Sequence, residues 1–227
     1  MKAIIFGATG MVGQGVVQVC LEHPDVEKVL LIGRTSAGLS HAKVTEILQR
    51  DMYAYSNIAS ELAGYDACFF CLGISSLGMS EADYTHVTYD LTLAAAQALV
   101  KVNPQMTFCF VSGQSTDSTE KGPTMWARVK GKTENALQSL PFKAVYCFRP
   151  GFIQPMKGVK SKTFAYRAIY AVMSPLYPML KGMAPGFVTN NEAIGQAMIQ
   201  VVKEGYSTPV LETRDINAAA EGRKQVA

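Results

Sequence analysis

The chain has 227 residues, enough to bury a substantial core and short enough for a single α/β domain. Hydrophobic residues make up 48% and charged residues 17%, which excludes a generally disordered or fibrous chain. Charge is uneven: residues 1–120 carry 6 Lys/Arg against 12 Asp/Glu and residues 121–227 carry 15 against 6, with Glu134 the one acid among eleven basic residues of 121–181.

Lys2 to Phe6 reads as a buried strand, and Met11 to Leu21 follows with apolar residues at helical spacing. Val26 to Ile32 reads as a second strand and Lys43 to Leu48 as a third, with a short helix near Ser56 to Leu62. Ala67 to Leu72 is almost continuously apolar, as a central parallel strand covered on both faces requires. Glu81 to Val102 predicts one long helix, Met106 to Ser112 strand five, Trp126 to Ser139 a helix, and Ala144 to Phe148 strand six. Alternating strands and helices predict an α/β fold, a doubly wound parallel sheet of Rossmann type. Past Arg149-Pro150-Gly151 prolines punctuate aromatic and methionine-rich segments. Thr163 to Met173 and Asn191 to Val202 read as helices, Pro209 to Glu212 as a last strand, and the residues after Ala220 as a polar tail. Residues 1–227 are therefore expected to form one domain, with about 152–190 as a small C-terminal lid.

The chemistry begins at Gly7-Ala8-Thr9-Gly10-Met11-Val12-Gly13, between strand one and the first helix. A turn this tight, in which backbone approaches a pyrophosphate and helix packs on strand, needs glycine. The helix N-terminus then offers unpaired N–H groups and the positive end of its dipole. Strand two ends at Arg34-Thr35-Ser36, where an NAD-preferring site carries Asp or Glu. A guanidinium there can grip a 2′-phosphate, helped by the Thr35 and Ser36 hydroxyls, so NADP(H) is the expected cofactor.

These residues resemble the short-chain dehydrogenase/reductase superfamily in its extended and atypical branches, and within it the NmrA-like and Tat-interacting oxidoreductase-like proteins. The resemblance covers residues 1 to about 155 well and the remainder loosely. It implies that Asp51-Met52 contacts adenine and that Leu72-Gly73 lies along the cofactor. It also makes Val111-Ser112-Gly113 the serine-bearing end of strand five, and puts Pro150 and Gly151 of the Arg149-Pro150-Gly151 turn beside the nicotinamide. The superfamily's catalytic Tyr-x-x-x-Lys falls on Trp126-Ala127-Arg128-Val129-Lys130, so the lysine is kept and the tyrosine is a tryptophan. An indole N–H donates a hydrogen bond but does not ionise near neutral pH, so it cannot serve as an ordinary acid. Ser112, Lys130 and Trp126 form the expected catalytic set, with Lys130 on the nicotinamide ribose, Ser112 orienting substrate, and water or a substrate group supplying the proton. Ser115 and Thr116 are nearby hydroxyls whose own pKa values are too high for easy proton donation. Two function classes follow: an oxidoreductase or epimerase-like enzyme, or a non-catalytic NADP(H)-binding sensor or scaffold.

Other features give blander readings. Cys20, Cys68, Cys71, Cys109 and Cys147 fall in predicted core elements and read as buried thiols, Cys68-x-x-Cys71 included. His23 and His41 read as solvent-facing, and His86 lies between Tyr84 and Tyr89. No histidine has a cysteine or carboxylate at metal-ligand spacing, so no metal is expected. The basic stretch 121–181 reads as a solvated face, or more sharply as a site for an anionic small-molecule substrate. Its aromatic part, Thr163 to Met183, reads as a lid helix, with a membrane or protein contact as the alternative. No nucleic-acid-binding module is recognised. No apolar run is long enough to span a membrane and the N-terminal one breaks at Gly7, so no targeting segment is read and a cytoplasmic location is expected.

Overall fold

The strand-like runs become β1 (Lys2–Phe6), β2 (Lys28–Gly33), β3 (Val44–Leu48), β4 (Ala67–Phe70), β5 (Thr107–Val111), β6 (Ala144–Arg149), β7 (Phe152–Gln154), β8 (Val188–Asn190) and β9 (Val210–Glu212). The helical runs become α1 (Met11–Glu22), α2 (Glu81–Thr85), α3 (Leu91–Val102), α4 (Met125–Gln138), α5 (Asn191–Glu204) and α6 (Thr213–Ala220). The computed structural model describes residues 1–156 and 186–223.

Seven strands form one sheet in the order β3-β2-β1-β4-β5-β6-β9, every pair parallel. Successive strand residues point to opposite faces, and the sequence supplies apolar side chains for both. Ala3 and Ile5 of β1 join Leu31, Phe69, Cys109 and Phe148 in one core under α1, α5 and α6. Ile4 and Phe6 join Leu30, Ile32, Phe70, Phe108 and Phe110 in the other, under α3 and the end of α4. Fully burying one such side chain contributes about 1.5–3 kcal/mol. The order reverses between β1 and β4, and in an open parallel sheet the crevice at the carboxyl ends of those strands is where ligands bind.

Glycine also governs how α1 meets α5. A Cβ on Gly15 would come within 2.5 Å of the Asn191 amide nitrogen, and one on Gly195 within 3.0 Å of Val19 Cβ. The two helices therefore approach closely on the face that holds the glycine turn in place.

Three sequence expectations are corrected. The long helix over 81–102 is interrupted by a π turn, His86–Asp90, between α2 and α3. Hydrophobic periodicity cannot register one wide turn inside a continuous helix, and such turns often mark functional places. Strand four stops at Phe70, so Cys71, Leu72 and Gly73 leave the sheet at the crevice. Before the polar tail an additional helix, α6, opens on a capping box in which Glu212 and Asp215 bond reciprocally to backbone N–H groups. The Glu-x-x-Asp pair departs from the usual Ser/Thr-x-x-Glu spacing signature, so the sequence did not announce this helix. Of the expected lid, β7 and β8 pair in parallel at its two ends. The helix expected over Thr163–Met173, and Thr163–Met183 as a whole, lie outside the described residues.

Candidate functional site

The glycine turn begins where β1 leaves the sheet. Gly7 has φ +81°, and a Cβ there would lie 2.7 Å from the Cys71 carbonyl carbon, so the turn packs directly on the end of β4. A Cβ on Gly13 would run into the Gly7 carbonyl, so only glycine lets α1 start this close to the strand. Gly7 accepts from the Gly10 N–H at 2.9 Å, which closes the turn. Gly10 caps α1 without a side-chain hydrogen bond, and the first turn holds no acidic residue. The leading N–H groups, from Met11 onward, meet no side-chain acceptor at that cap and no nearby carboxylate, as phosphate binding requires. A Cβ on Gly73 would meet nothing within 4 Å, so the backbone after β4 borders open space.

Beyond β2 the expected adenosine side assembles unevenly. Arg34 is exposed, and its charge lowers the Tyr53 phenol, which burial raises most and Asp90 raises further. Asp51 is exposed and turns the chain by accepting from the Tyr53 N–H at 2.9 Å. Met52 is only 4% exposed and packs in the core, so it offers the crevice little surface. Ser36 donates to Glu46 Oε2 at 2.5 Å, because β3 sets Glu46 opposite Leu31 of β2. Its proton is thus engaged by a carboxylate and is not free for a 2′-phosphate, which corrects that expectation. Tyr53 stacks on His86 at 4.6 Å, and His86 Nδ1 lies 3.1 Å from Asp90 across the π turn. One histidine therefore does pair with a carboxylate, at i,i+4, and the sequence reading missed it. Among the described residues no three His, Cys, Asp or Glu converge as for a metal.

At the ends of β5 and β6 the three expected catalytic residues come together. Ser112 is buried and its hydroxyl lies 2.9 Å from that of Thr116. Thr116 donates its one proton to the Gly113 carbonyl at 2.7 Å. The Ser112 proton is thereby directed to Thr116. Gly113 lies against the Trp126 ring, with 3.8 Å between its would-be Cβ and Cζ3. One helical turn on, Lys130 donates to the carbonyls of Ser112 at 3.0 Å and Val111 at 3.4 Å, and sits 5.5 Å over the Phe110 ring. Burial pulls its ammonium down to about 8, and Glu134 opposes the shift.

Pro150 accepts from the Gln114 N–H at 3.0 Å, and the Gly151 N–H donates to Thr213 Oγ1 at 2.8 Å, which fixes the turn after β6. A Cβ on Gly151 would press into the Phe187 carbonyl, so chain leaving β6 and chain entering β8 touch here. Arg149 points away from the crevice. It pairs with Glu134, whose side chain is fully buried, and reaches Ser118 and Glu212 as well. Sequence reading had treated Glu134 only as the lone acid of a basic stretch. Other described members of that stretch are also engaged: Arg128 by Glu81, Lys132 by the Tyr89 ring. These contacts engage the cations of α4 locally, while Lys121 and Lys143 are exposed. Cys20, Cys68, Cys109 and Cys147 are buried and Cys71 partly so, all as free thiols, and burial raises every one.

Comparison with known proteins agrees with this geometry. A family profile described as "Semialdehyde dehydrogenase, NAD binding domain" matches residues 2–85, from β1 through α2. The mitochondrial protein FMP52 of Meyerozyma guilliermondii is 25% identical over 159 residues, covering 67% of this chain and 65% of that protein. Protein HTATIP2 of Rattus norvegicus is 26% identical over 154 residues, covering 67% of this chain and 62% of that one. The matched part of the chain thus spans just under two thirds of these relatives. Among solved structures, an oxidoreductase of the short chain dehydrogenase/reductase family from Burkholderia thailandensis superposes with TM-score 0.67 at 15% identity, covering 98% of this chain and 93% of that one. The expected cytoplasmic location is corrected: FMP52 proteins of Meyerozyma, Scheffersomyces and Emericella are named mitochondrial. The break of the apolar run at Gly7 spoke only to a hydrophobic signal and carried no information on organelle. No described helix is long and apolar enough to cross a membrane.

Proposed function

We propose that this chain is a nicotinamide-nucleotide-binding protein of the short-chain dehydrogenase/reductase type, that it binds NADP(H), and that it acts as an oxidoreductase or epimerase-like enzyme on a small, anionic molecule. The observation that carries this reading is that two groups lie at the carboxyl ends of parallel strands of one sheet. A glycine turn with no acidic residue in the first turn of α1 lies at the end of β1, and the Ser112–Trp126–Lys130 group lies at the end of β5.

In this reading the N–H groups of the turn Gly7, Thr9, Gly10, Met11, Val12 and Gly13 hold the pyrophosphate. Arg34 grips the 2′-phosphate. Asp51 and Met52 bound the adenine, and Leu72, Gly73, Pro150 and Gly151 line the nicotinamide half. Lys130 holds the ribose and Ser112 orients the substrate. A bound reduced nicotinamide supplies a hydride. The protein's own contribution is position, charge and exclusion of water.

Trp126 favours a second reading, a cofactor-binding sensor or scaffold without hydride chemistry, because an indole has replaced the usual acid. The test uses the chain's single tryptophan, which lies in the site. Titration with NADPH and with NADH, followed by Trp126 fluorescence and calorimetry, is expected to show NADPH binding at least tenfold tighter. Failure of both nucleotides to bind removes the proposal. Tight NADPH binding without reduction of any compound in a broad carbonyl panel selects the sensor.

A further inference from the structure

We propose that Lys130 is the proton donor of this site, taking over the function for which Trp126 is chemically unsuited. The inference rests on the enzymatic reading above and identifies the acid that reading leaves open.

The indole of Trp126 has no proton to give near neutral pH. The Ser112 hydroxyl is directed to Thr116, and Thr116 to the Gly113 carbonyl, so both protons are already engaged. An ammonium has three N–H groups. Two of those on Lys130 have partners, both of them neutral carbonyls, at 3.0 and 3.4 Å from the end of β5. The third has no hydrogen-bond partner among the described residues, and it is the one that would serve a bound ligand, ribose hydroxyl or substrate oxygen in turn.

The charged groups around Lys130 can be named element by element. On α4 they are Glu134, which pairs with Arg149 of β6, Arg128, which pairs with Glu81 of α2, and Lys132, which lies over Tyr89 of the π turn. Strand β5 contributes carbonyls and the Phe110 ring. No carboxylate is bonded to Lys130 itself among the described residues, so nothing holds its proton as an ion pair would. Burial brings the ammonium down to about 8, which is where a group must titrate to act as an acid near neutral pH.

The step balances. As the carbonyl carbon of a substrate accepts a hydride from a reduced nicotinamide, the C=O π pair moves to oxygen. The Nζ–H bond of Lys130 breaks with its electron pair staying on nitrogen, and a new O–H bond completes the alcohol. Lys130 is left as a neutral amine and regains a proton from water.

The test reads Lys130 directly and needs no known substrate. The whole protein is acetylated by trace acetic anhydride at graded pH, and peptide mass spectrometry follows each lysine. Lys130 is expected to reach half-maximal reactivity near pH 8, well below exposed Lys101 and Lys143, and NADP⁺ should slow its labelling. A Lys130 that titrates with the surface lysines, or never reacts, overturns the proposal. A second arm uses phenanthrenequinone and NADPH. Lys130→Arg keeps a cation for the ribose but cannot release a proton, so turnover should fall about 100-fold or more while NADPH still quenches Trp126. The rate profile of the parent should fall as pH rises through about 8. Trp126→Tyr in the Lys130→Arg background should restore much of the rate. If no nicotinamide nucleotide binds the parent, the enzymatic reading itself fails. If nucleotide binds and Lys130→Arg turns over as the parent does, only the proton-donor assignment fails.

Discussion

The two ends of the crevice are built from different materials. At the β1–α1 end the proposed recognition surface is backbone: Gly7 and Gly13 sit where a Cβ would strike neighbouring main chain. At the β5–α4 end it is side chains: Ser112 aimed by Thr116, Trp126 against Gly113, and Lys130 held by two carbonyls. A backbone surface tolerates almost no substitution and can be read from spacing. A side-chain surface can change its chemistry one residue at a time while the fold stays intact. Trp126, which in the proposed reading stands where a catalytic tyrosine would, falls at the second end.

The sharpest way to break this comparison is to remove a partner beneath the side-chain end. Glu134→Ala leaves the Arg149 guanidinium buried without its main counter-charge. Loss of one partner of a buried pair costs about 3–5 kcal/mol, which urea unfolding would register. A loss below about 1 kcal/mol would mean that Glu212 and Ser118 suffice for Arg149.

The backbone end is next. Gly13→Ala forces a Cβ into the Gly7 carbonyl and should cost about 1–3 kcal/mol, with NADPH binding lost. Gly73→Ala is the control: it meets nothing within 4 Å, so stability should stay within about 0.5 kcal/mol. Equal thermal shifts for the two would contradict the close approach at Gly13.

Arg34→Ala sharpens the contrast at its weakest point, because Ser36 is engaged by Glu46 and leaves the guanidinium as the main anion-binding group there. A charge-assisted contact contributes about 1.5–3 kcal/mol, so the substitution should erase most of a tenfold preference for NADPH over NADH. An unchanged ratio of calorimetric affinities would move the 2′-phosphate elsewhere.

The smallest effect concerns pH. Lys130 has a lowered pKa in the folded state, about 8 against an ordinary 10.5. Below pH 8 it is charged in both folded and unfolded chains, and the cost of burying that charge is constant. Between about pH 8 and 10.5 the folded chain gives up the proton first, so the unfolded chain binds more protons and stability rises with pH. Relative to Lys130→Met, the parent should gain about 1–2 kcal/mol across that window, partial exposure having reduced the effect. A flat difference between the two proteins would show Lys130 to be solvated like a surface lysine.

Much of this was legible before any coordinates. The apolar run Ala67–Leu72 reads as a strand covered on both faces, and β4 is buried throughout although it stops two residues earlier, at Phe70. The spacing of Gly7, Gly10 and Gly13 between a strand and a helix left little choice of turn. The π turn at His86–Asp90 was not legible, because it is held among groups distant in sequence: Tyr53 stacks on His86 from beyond β3. The Arg149–Glu134 pair was hidden for the same reason, fifteen residues apart and joined only when α4 lies along β6.

By itself, then, the sequence determined the alternating elements, the parallel sheet and the glycine turn. These depend on local spacing, on which residues can be buried, and on the one residue type that fits without a Cβ. Only the tertiary structure decided the state of the side chains at the other end. The direction of the Ser112 hydroxyl, the neutral partners of Lys130 and the burial that lowers its ammonium all depend on which carbonyls and rings the fold sets beside them, and no spacing in the chain encodes those distances.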